Sequence, residues 1–257
     1  MTGRVGLRAA VRSLKRGLRR IGWQFVDGRL EREQRQGVLG PAHRRWRGNS
    51  AADNRERWTN WDWSGGGEEW NASPEWKQAL VDYVLMAWIP DDQVVLEIGS
   101  GAARWSAVLQ PRARRLILVD ITERPLALCR ERFAAAGNVE YVLSSGNDLP
   151  SIADSSVDAI WSFDVFVHVA PVDQVAYLTE VARVLGPGGV AVIHHADGRN
   201  LGDFPSRNGW RSPMSRNLFA TLVAERGLAV EAQIDSWGPS GCYDLSAYHD
   251  AITICRK

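Results

Sequence analysis

The chain has 257 residues, enough for one sizeable α/β domain with an appendage, and its hydrophobic fraction of 45% is ordinary for a globular protein. Its three cysteines have no C-x-x-C spacing, which argues against a disulfide framework and against a structural zinc site. No run of about 18 apolar residues is present, and the pattern of a secretory signal is absent. We therefore expect a cytoplasmic protein without a membrane span.

The net charge of +1 is distributed unevenly along the chain. Residues 1–60 hold fifteen Lys or Arg against five Asp or Glu, so the remainder is acidic overall. In residues 7–21 apolar side chains recur every three or four positions between basic ones, which predicts a basic amphipathic helix. Such a helix could dock on the acidic remainder, lie on an anionic membrane surface on the cytoplasmic side, or touch a phosphate-rich partner. We assign residues 1–56 to a basic N-terminal extension.

The next part, residues 57–74, is unusually rich in tryptophan. Trp58, Trp61, Trp63 and Trp70 stand among glycines and acidic residues, whereas a hydrophobic core usually draws on Leu, Val and Ile. A flexible linker would have no large rings at all. We interpret this tryptophan-rich segment as a surface that closes over a ligand.

Strand and helix patterns alternate after this segment, which predicts a mostly parallel, doubly wound α/β sheet over residues 75–257. Ser73 followed by Pro74 predicts the start of a helix that extends to about Trp88. The predicted strands begin at residues 94, 115, 139, 157 and 190, and two more cover 229–237 and 251–255. The predicted helices between them cover residues 103–109, 122–136, 171–185 and 215–226.

A glycine turn follows the first predicted strand, in the segment EIGSGAAR. Gly99 and Gly101 would let the backbone approach a ligand closely at the carboxyl end of that strand. A dinucleotide-binding motif would need a third glycine where this chain has Arg104, so a dehydrogenase is only a remote alternative.

Acidic and amide side chains follow the neighbouring strands. Glu97 and Asp120 could accept hydrogen bonds from an amino group and from a ribose diol. Asn147 and Asp148 stand after the third predicted strand, where an adenine amino group could be recognised. Together these residues predict a site for an adenosine that bears an amino acid.

These motifs resemble those of the class I S-adenosylmethionine-dependent methyltransferases. The resemblance covers residues 75–257 and rests on VVLEIGSG, Asp120, GNDL, SFDVFVHV and LGPGG in that order. It implies a Rossmann-like sheet of seven strands whose last strand is antiparallel, with S-adenosylmethionine as the cofactor. WDWSGGGEEW and IHHADG are similar to segments of bacterial, including actinobacterial, sugar O-methyltransferases. The cofactor contacts that the resemblance implies are Glu97, Gly99, Gly101, Arg104, Trp105, Asp120, Asn147, Asp148, Leu149 and Phe163.

Methyl transfer to a hydroxyl also requires removal of its proton, and a histidine with a pKa near neutrality can accept it. We predict His168 as this base, with His194 as the alternative and Asp164 as a residue that orients an imidazole. Adjacent strand residues point to opposite faces, so we do not expect His194 and His195 both to reach the acceptor. Asp164, a histidine and Asp197 could hold a divalent ion such as magnesium, but the ligand set is too loose to predict a metal.

The resemblance further implies that the tryptophan-rich segment is a lid over cofactor and acceptor. Indole faces attract cations such as a sulfonium and suit the C–H face of a sugar ring. The predicted acceptor contacts are Trp58, Trp61, Trp63, Glu68, Glu69, His195 and Arg211. The leading hypothesis is O-methylation of a saccharide in glycan or cell-envelope biosynthesis, with no nucleic-acid partner. An RNA methyltransferase and a non-catalytic, membrane-associated cofactor-binding module are the alternatives.

Overall fold

The computed structural model describes residues 49–198, 211–245 and 249–257. The predicted basic helix of residues 7–21 lies outside the described residues, as do residues 199–210. Among the helices that are described, none is long and apolar enough to cross a membrane.

A seven-stranded sheet forms the centre of the fold, in the order β3-β2-β1-β4-β5-β9-β6. The order reverses between β1 and β4, and β9 is antiparallel to both of its neighbours, β5 and β6. The predicted α/β fold with one antiparallel strand is therefore confirmed. The strands are β1 Val94–Ile98, β2 Arg115–Asp120, β3 Val139–Leu143, β4 Val157–Ser162, β5 Leu185–Ala196, β6 Ala229–Ile234, β7 Ser236–Trp237, β8 Tyr243–Asp244 and β9 Asp250–Arg256.

Helices cover both faces of the sheet, and β7 and β8 form a separate short hairpin. The helices are α1 Ala51–Thr59, α2 Pro74–Leu80, α3 Met86–Trp88, α4 Ser106–Leu109, α5 Glu123–Arg132, α6 Pro171–Val184 and α7 Arg216–Ala224. A π-helical turn, Val81–Leu85, joins α2 to α3. Ser73 caps α2 as predicted, because its hydroxyl accepts the N–H of Trp76.

Two hydrophobic layers sandwich the sheet, and strand alternation divides the residues between them. In β2, Leu116 and Leu118 pack in the layer that includes α2 and α3, and Ile117 and Val119 pack in the layer that includes α6 and α7. The inner strands are buried on both faces, and their sequences are therefore continuous runs of apolar residues.

Some predicted boundaries are wrong. The helix predicted from Ala103 begins at Ser106, because Ala103 has a φ of 71°, outside the helical region. The predicted helix over 122–136 ends at Arg132. The fifth strand already begins at Leu185, so it includes the GPGG segment. The strand predicted over 229–237 is two strands, the second of which pairs with β8.

Residues 49–72 cross the carboxyl edge of the sheet. The carbonyl of Asn49 accepts the N–H of Ala170, and Arg55 donates to the carbonyl of Ser145. Helix α1 therefore packs on the loops that follow β3 and β4. The predicted boundary between residues 56 and 57 falls inside this helix.

Candidate active site

The glycine turn after β1 has a backbone that favours glycine. Gly99 and Gly101 have φ angles of 76° and 51°, in the left-handed region. A Cβ on Gly99 would overlap Val165, and one on Gly101 would lie 3.1 Å from the ring of Trp63. The N–H of Gly99 donates to the carbonyl of Val119 at 2.7 Å, which ties the turn to β2.

Asp120 ends β2 beside this turn. Its carboxylate accepts the N–H of Gly101 at 3.1 Å and the N–H of Thr122 at 3.0 Å. Burial raises the pKa of Asp120 to about 6, although these hydrogen bonds act in the opposite direction. A carboxylate oxygen has more than one acceptor position, so Asp120 can still accept hydrogen bonds from a ligand.

A cavity lies between the glycine turn and the tryptophan-rich segment. We call it the inner cavity. Trp58, Trp63 and Trp70 form its cover, while Asp120 and Ile121 lie at the ends of the strands below. Polar and apolar residues both line this cavity, a combination typical of ligand-binding pockets.

A second cavity adjoins the first, and we call it the outer cavity. It is lined on one side by aromatic rings and on the other by His194, Arg211 and Asp250. The residues that line both cavities are Trp58, Trp70, Phe163, Asp164 and His168. A group in the inner cavity can therefore face a group in the outer cavity across this common wall.

Arg104 lies on the wall of the inner cavity and is only 5% exposed. Its guanidinium lies 4.7 Å from the ring centroid of Trp105 and 5.7 Å from that of Trp70. Nη2 contacts Asp164 at 2.5 Å, and Nη1 donates to the side chain of Asn71 at 3.2 Å. Arg104 thus connects the tryptophan-rich segment to the sheet edge. Trp105 is buried and lines the same cavity.

His194 lies between two carboxylates and is fully buried. Its Nδ1 is 3.2 Å from Asp164, and its Nε2 is 3.3 Å from Asp250, an ion-pair distance rather than a well-formed hydrogen bond. Burial lowers the pKa of His194, but the two carboxylates outweigh burial and the pKa lies above its ordinary value. Burial would raise the pKa of Asp164, yet Arg104 and His194 hold it well below its usual range.

His168 lies in a 3-10 turn, Phe166–His168, on the common wall of the two cavities. Its carbonyl accepts hydrogen bonds from the side-chain amides of Asn49 and Asn54, both at 2.9 Å. The ring of Trp58 meets the imidazole edge-on, with 5.3 Å between centroids. The N-terminal segment therefore holds His168 from two sides.

Glu97, which sequence reasoning assigned to the cofactor, does not line either cavity. It is buried beneath the glycine turn, where it accepts the hydroxyl of Ser106 at 2.6 Å. Burial raises the pKa of Glu97 to about 8. Glu97 therefore supports the glycine turn from below.

The predicted adenine loop also differs from expectation. Asn147 donates to Asp173, the carboxylate of Asp148 caps the N–H of Ser145, and Leu149 is buried in the core. None of the three predicted residues lines the inner cavity. Ile121, Gly146 and Tyr177 line the inner cavity near this loop, and the sequence analysis did not predict them. The position of Ile121 directly after the strand-terminal Asp120 was the available signal.

The tryptophan-rich segment covers the inner cavity through a cluster of rings. Trp63 is buried, and its indole N–H donates to the carbonyl of Trp58. Trp61 packs against Trp58 and Trp70 but lines neither cavity. Of the two acids predicted to contact an acceptor, Glu69 lines the outer cavity.

Three further residues were predicted to contact the acceptor, and one of them lines the outer cavity. Glu68 pairs with Lys77, away from both cavities. His195 points to the opposite face of the sheet, where it contacts Thr253 at 2.7 Å and stacks on Phe219, so it does not reach the outer cavity. Burial lowers its pKa to about 3. Arg211 does line the outer cavity, with Nη2 3.1 Å from Asp250.

The structure gives no cluster of three or more His, Cys, Asp or Glu side chains suited to a metal ion within the described ranges. Asp197, the third ligand considered from sequence, pairs with Arg216 instead.

Comparison with known proteins identifies the central part of the chain. Residues 96–193 match the family model Methyltransf_11, described as a methyltransferase domain. A "Probable S-adenosylmethionine-dependent methyltransferase" of Mycolicibacterium smegmatis is 30% identical over 167 residues, which cover 62% of this chain and 61% of that protein. A "Probable O-methyltransferase" of Mycobacterium tuberculosis is 32% identical over 133 residues, covering 48% and 57%. The chain thus spans about three fifths of the length of these two relatives.

Solved structures share the fold at lower sequence identity. A chain in the complex between the Trm112 methyltransferase activator of Haloferax volcanii and a methyltransferase superposes with a TM-score of 0.60. The match has 19% identity and covers 79% of this chain and 96% of that one. The motifs, the family model over residues 96–193 and the fold therefore agree in their similarity to S-adenosylmethionine-dependent methyltransferases of class I.

Proposed function

We propose that this chain is an S-adenosylmethionine-dependent O-methyltransferase whose acceptor is a hydroxyl of a small molecule, within that class a saccharide. The observation that carries the proposal is the pair of adjoining cavities with His168 on their common wall. One cavity suits the donor and the other the acceptor.

The inner cavity fits the donor in several respects. Asp120 can accept the two hydroxyls of a ribose, and the turn at Gly99 leaves no side chain between the backbone and the ligand. Ile121 and the side-chain-free Gly146 offer a flat surface to adenine. Arg104 can bind a carboxylate. When bound, S-adenosylmethionine supplies an activated methyl group on a positively charged sulfur.

The residues around the common wall align the acceptor and take its proton. Phe163 and Trp58 line this wall, and their rings exclude water from it. Aromatic faces also attract a positive charge such as that of the donor sulfur. Alignment of the reacting groups is worth roughly 7 to 11 kcal/mol when the geometry is good. We assign the removal of the hydroxyl proton to His168, because it is the histidine among the described residues that lines both cavities.

The outer cavity favours a saccharide over a purely apolar acceptor. Trp70, Trp76 and Tyr243 offer rings that can stack on the C–H face of a sugar. Glu69, which is exposed, offers a carboxylate that can accept hydroxyl hydrogen bonds.

The proposal is tested by turnover of a methyl-labelled donor against mono- and oligosaccharides, phenols, lipids and RNA, with and without magnesium. We expect transfer to a saccharide hydroxyl and little transfer to RNA. Transfer to RNA with a steep salt dependence would contradict the saccharide assignment. Donor binding without turnover on any acceptor, together with binding to anionic vesicles, would favour the non-catalytic module.

A further inference from the structure

A line of five buried or half-buried charged side chains runs from the inner to the outer cavity. Arg104 contacts Asp164 at 2.5 Å, and Asp164 lies 3.2 Å from Nδ1 of His194. Nε2 of His194 is 3.3 Å from Asp250, which lies 3.1 Å from Nη2 of Arg211. The signs alternate along this line when His194 is protonated, and the side chains of His194 and Asp250 are 1% and 0% exposed.

His194 has contacts for two protonation states. A neutral ring accepts the backbone N–H of Asp164 at Nδ1, 3.1 Å away, and carries its proton on Nε2 toward Asp250. A protonated ring can instead donate from Nδ1 to the carboxylate of Asp164. When His194 is neutral, Arg104 is the cation that contacts the carboxylate of Asp164. When His194 is protonated, it contacts that carboxylate as a second cation.

Both nitrogens of His194 therefore lie within 3.3 Å of a carboxylate oxygen. The groups that face the ring are Asp164 at the end of β4, Asp250 on β9 and the stacked ring of Phe163. This arrangement is better suited to holding a positive charge than to removing a proton from an acceptor, which leaves that task to His168.

We propose that His194 is a positioning residue that couples the two cavities, because its protonation satisfies Asp164 and makes Arg104 available to the anionic group of the donor. The proposal rests on the proposed function, since the donor provides that anionic group. Asp250 favours the protonated ring through its negative charge, although it lies in the outer cavity and not beside the donor. A substitution of Asp250 therefore changes the contact between Arg104 and Asp164.

The sign of the effect follows from the charges. Protonated His194 frees Arg104, so the donor and its demethylated product bind more tightly at low pH than at high pH. Neutralising Asp250 makes the protonated ring less favourable, which weakens product binding at pH 7 and moves the loss of affinity to lower pH. Couplings between two sites typically amount to about 5-fold to 150-fold in affinity.

The test is calorimetric titration of the full chain with S-adenosylhomocysteine between pH 6 and 9. We expect Asp250→Asn to bind the product about 5-fold or more weakly at pH 7. We expect Asp154→Asn, which neutralises a surface carboxylate that lines neither cavity, to bind as the wild type does. Asp120 and Glu97 also titrate in this range, so the difference between the wild-type and His194→Gln profiles isolates the contribution of His194.

Imidazole titration by NMR supplies a measurement that does not depend on the ligand. In the free wild-type protein we expect the pKa of His194 to lie above that of an ordinary histidine. In Asp250→Asn we expect the pKa of His194 to be lower than in the wild type. Wild-type and Asp250→Asn chains with equal affinities and equal pH profiles, or a His194 that is neutral throughout, would overturn the coupling alone. A folded wild type that binds no product at any pH would overturn the proposed function, and the coupling with it.

Discussion

Trp58 meets the imidazole of His168 edge-on, with 5.3 Å between the ring centroids, at the wall that the two cavities share. The contact joins the tryptophan-rich segment to the predicted base. Asn54, one turn before Trp58 in α1, donates to the carbonyl of the same histidine. Residues ahead of the central domain thus help to build its site, and they do so through direct contacts.

Replacement of His168 tests its role as the base. We expect His168→Asn to lower kcat by about 10² to 10⁴, because the acceptor hydroxyl loses its proton acceptor, while the affinity for S-adenosylhomocysteine stays close to that of the wild type. The measurement is steady-state turnover on the identified saccharide, combined with calorimetry of product binding. A variant with the wild-type rate would remove His168 from the mechanism.

Trp63 anchors the cover of the inner cavity, because its ring packs over Gly101 and its N–H donates to the carbonyl of Trp58. We expect Trp63→Ala to cost about 3 kcal/mol in the free energy of unfolding and to weaken product binding. Trp61→Ala is the matched control, since Trp61 is partly exposed and lines neither cavity. Equal losses in the two variants, measured by denaturant unfolding, would show that the cover does not depend on this anchor.

The glycine turn can be tested with two alanine variants of equal backbone strain. Gly99 and Gly227 have φ angles of 76° and 74°, but only a Cβ on Gly99 would meet a neighbour, Val165. We expect Gly227→Ala to cost about 1 to 2 kcal/mol through its backbone alone. Gly99→Ala should cost about 1 to 3 kcal/mol more and should also impair product binding. Similar unfolding energies for both variants would argue against close packing at the turn.

Glu97 predicts a specific dependence of stability on pH. Burial raises its pKa to about 8 in the folded chain, against 4.5 for an ordinary glutamate, so the folded state binds more protons between these values. The contribution of Glu97 to stability is therefore present below pH 4.5 and is lost as the pH rises through 8, by about 1.4 kcal/mol for each pKa unit.

Glu97→Gln removes this titration while keeping the shape of the side chain. We expect the variant to gain stability over the wild type as the pH rises from 4.5 to 8, as measured by urea unfolding of the free protein at several pH values. The gain should level off above pH 8. A constant difference between the two chains across this range would mean that Glu97 is already ionised in the fold.

The sequence was sufficient to predict the fold and the glycine edge of the site. The carboxyl ends of parallel strands meet at one edge, so Gly99, Gly101 and Asp120 could be placed together from their positions after β1 and β2 alone. The antiparallel direction of the last strand was predicted from the family resemblance and not from the alternation of strands and helices.

Other parts of the site depend on contacts that no local pattern reveals. Asp250 reaches His194 because β9 pairs with β5 across a long separation in the chain, and the pairing register is a property of the folded sheet. Strand alternation predicted that only one of His194 and His195 would face the cleft, and it could not indicate which one. Asn147 is turned away by its hydrogen bond to Asp173, a residue of α6.

The central claim is that the inner cavity, with Asp120 at its edge, binds the S-adenosyl group. Calorimetric titration of the folded chain with S-adenosylhomocysteine tests it most directly, with Asp120→Ala compared against Asp154→Ala, whose wild-type side chain is 77% exposed on the surface. We predict one product molecule per wild-type chain, at least a tenfold loss of affinity in Asp120→Ala, and no change in Asp154→Ala. The absence of binding to the wild type, or equal binding by Asp120→Ala, would contradict the account.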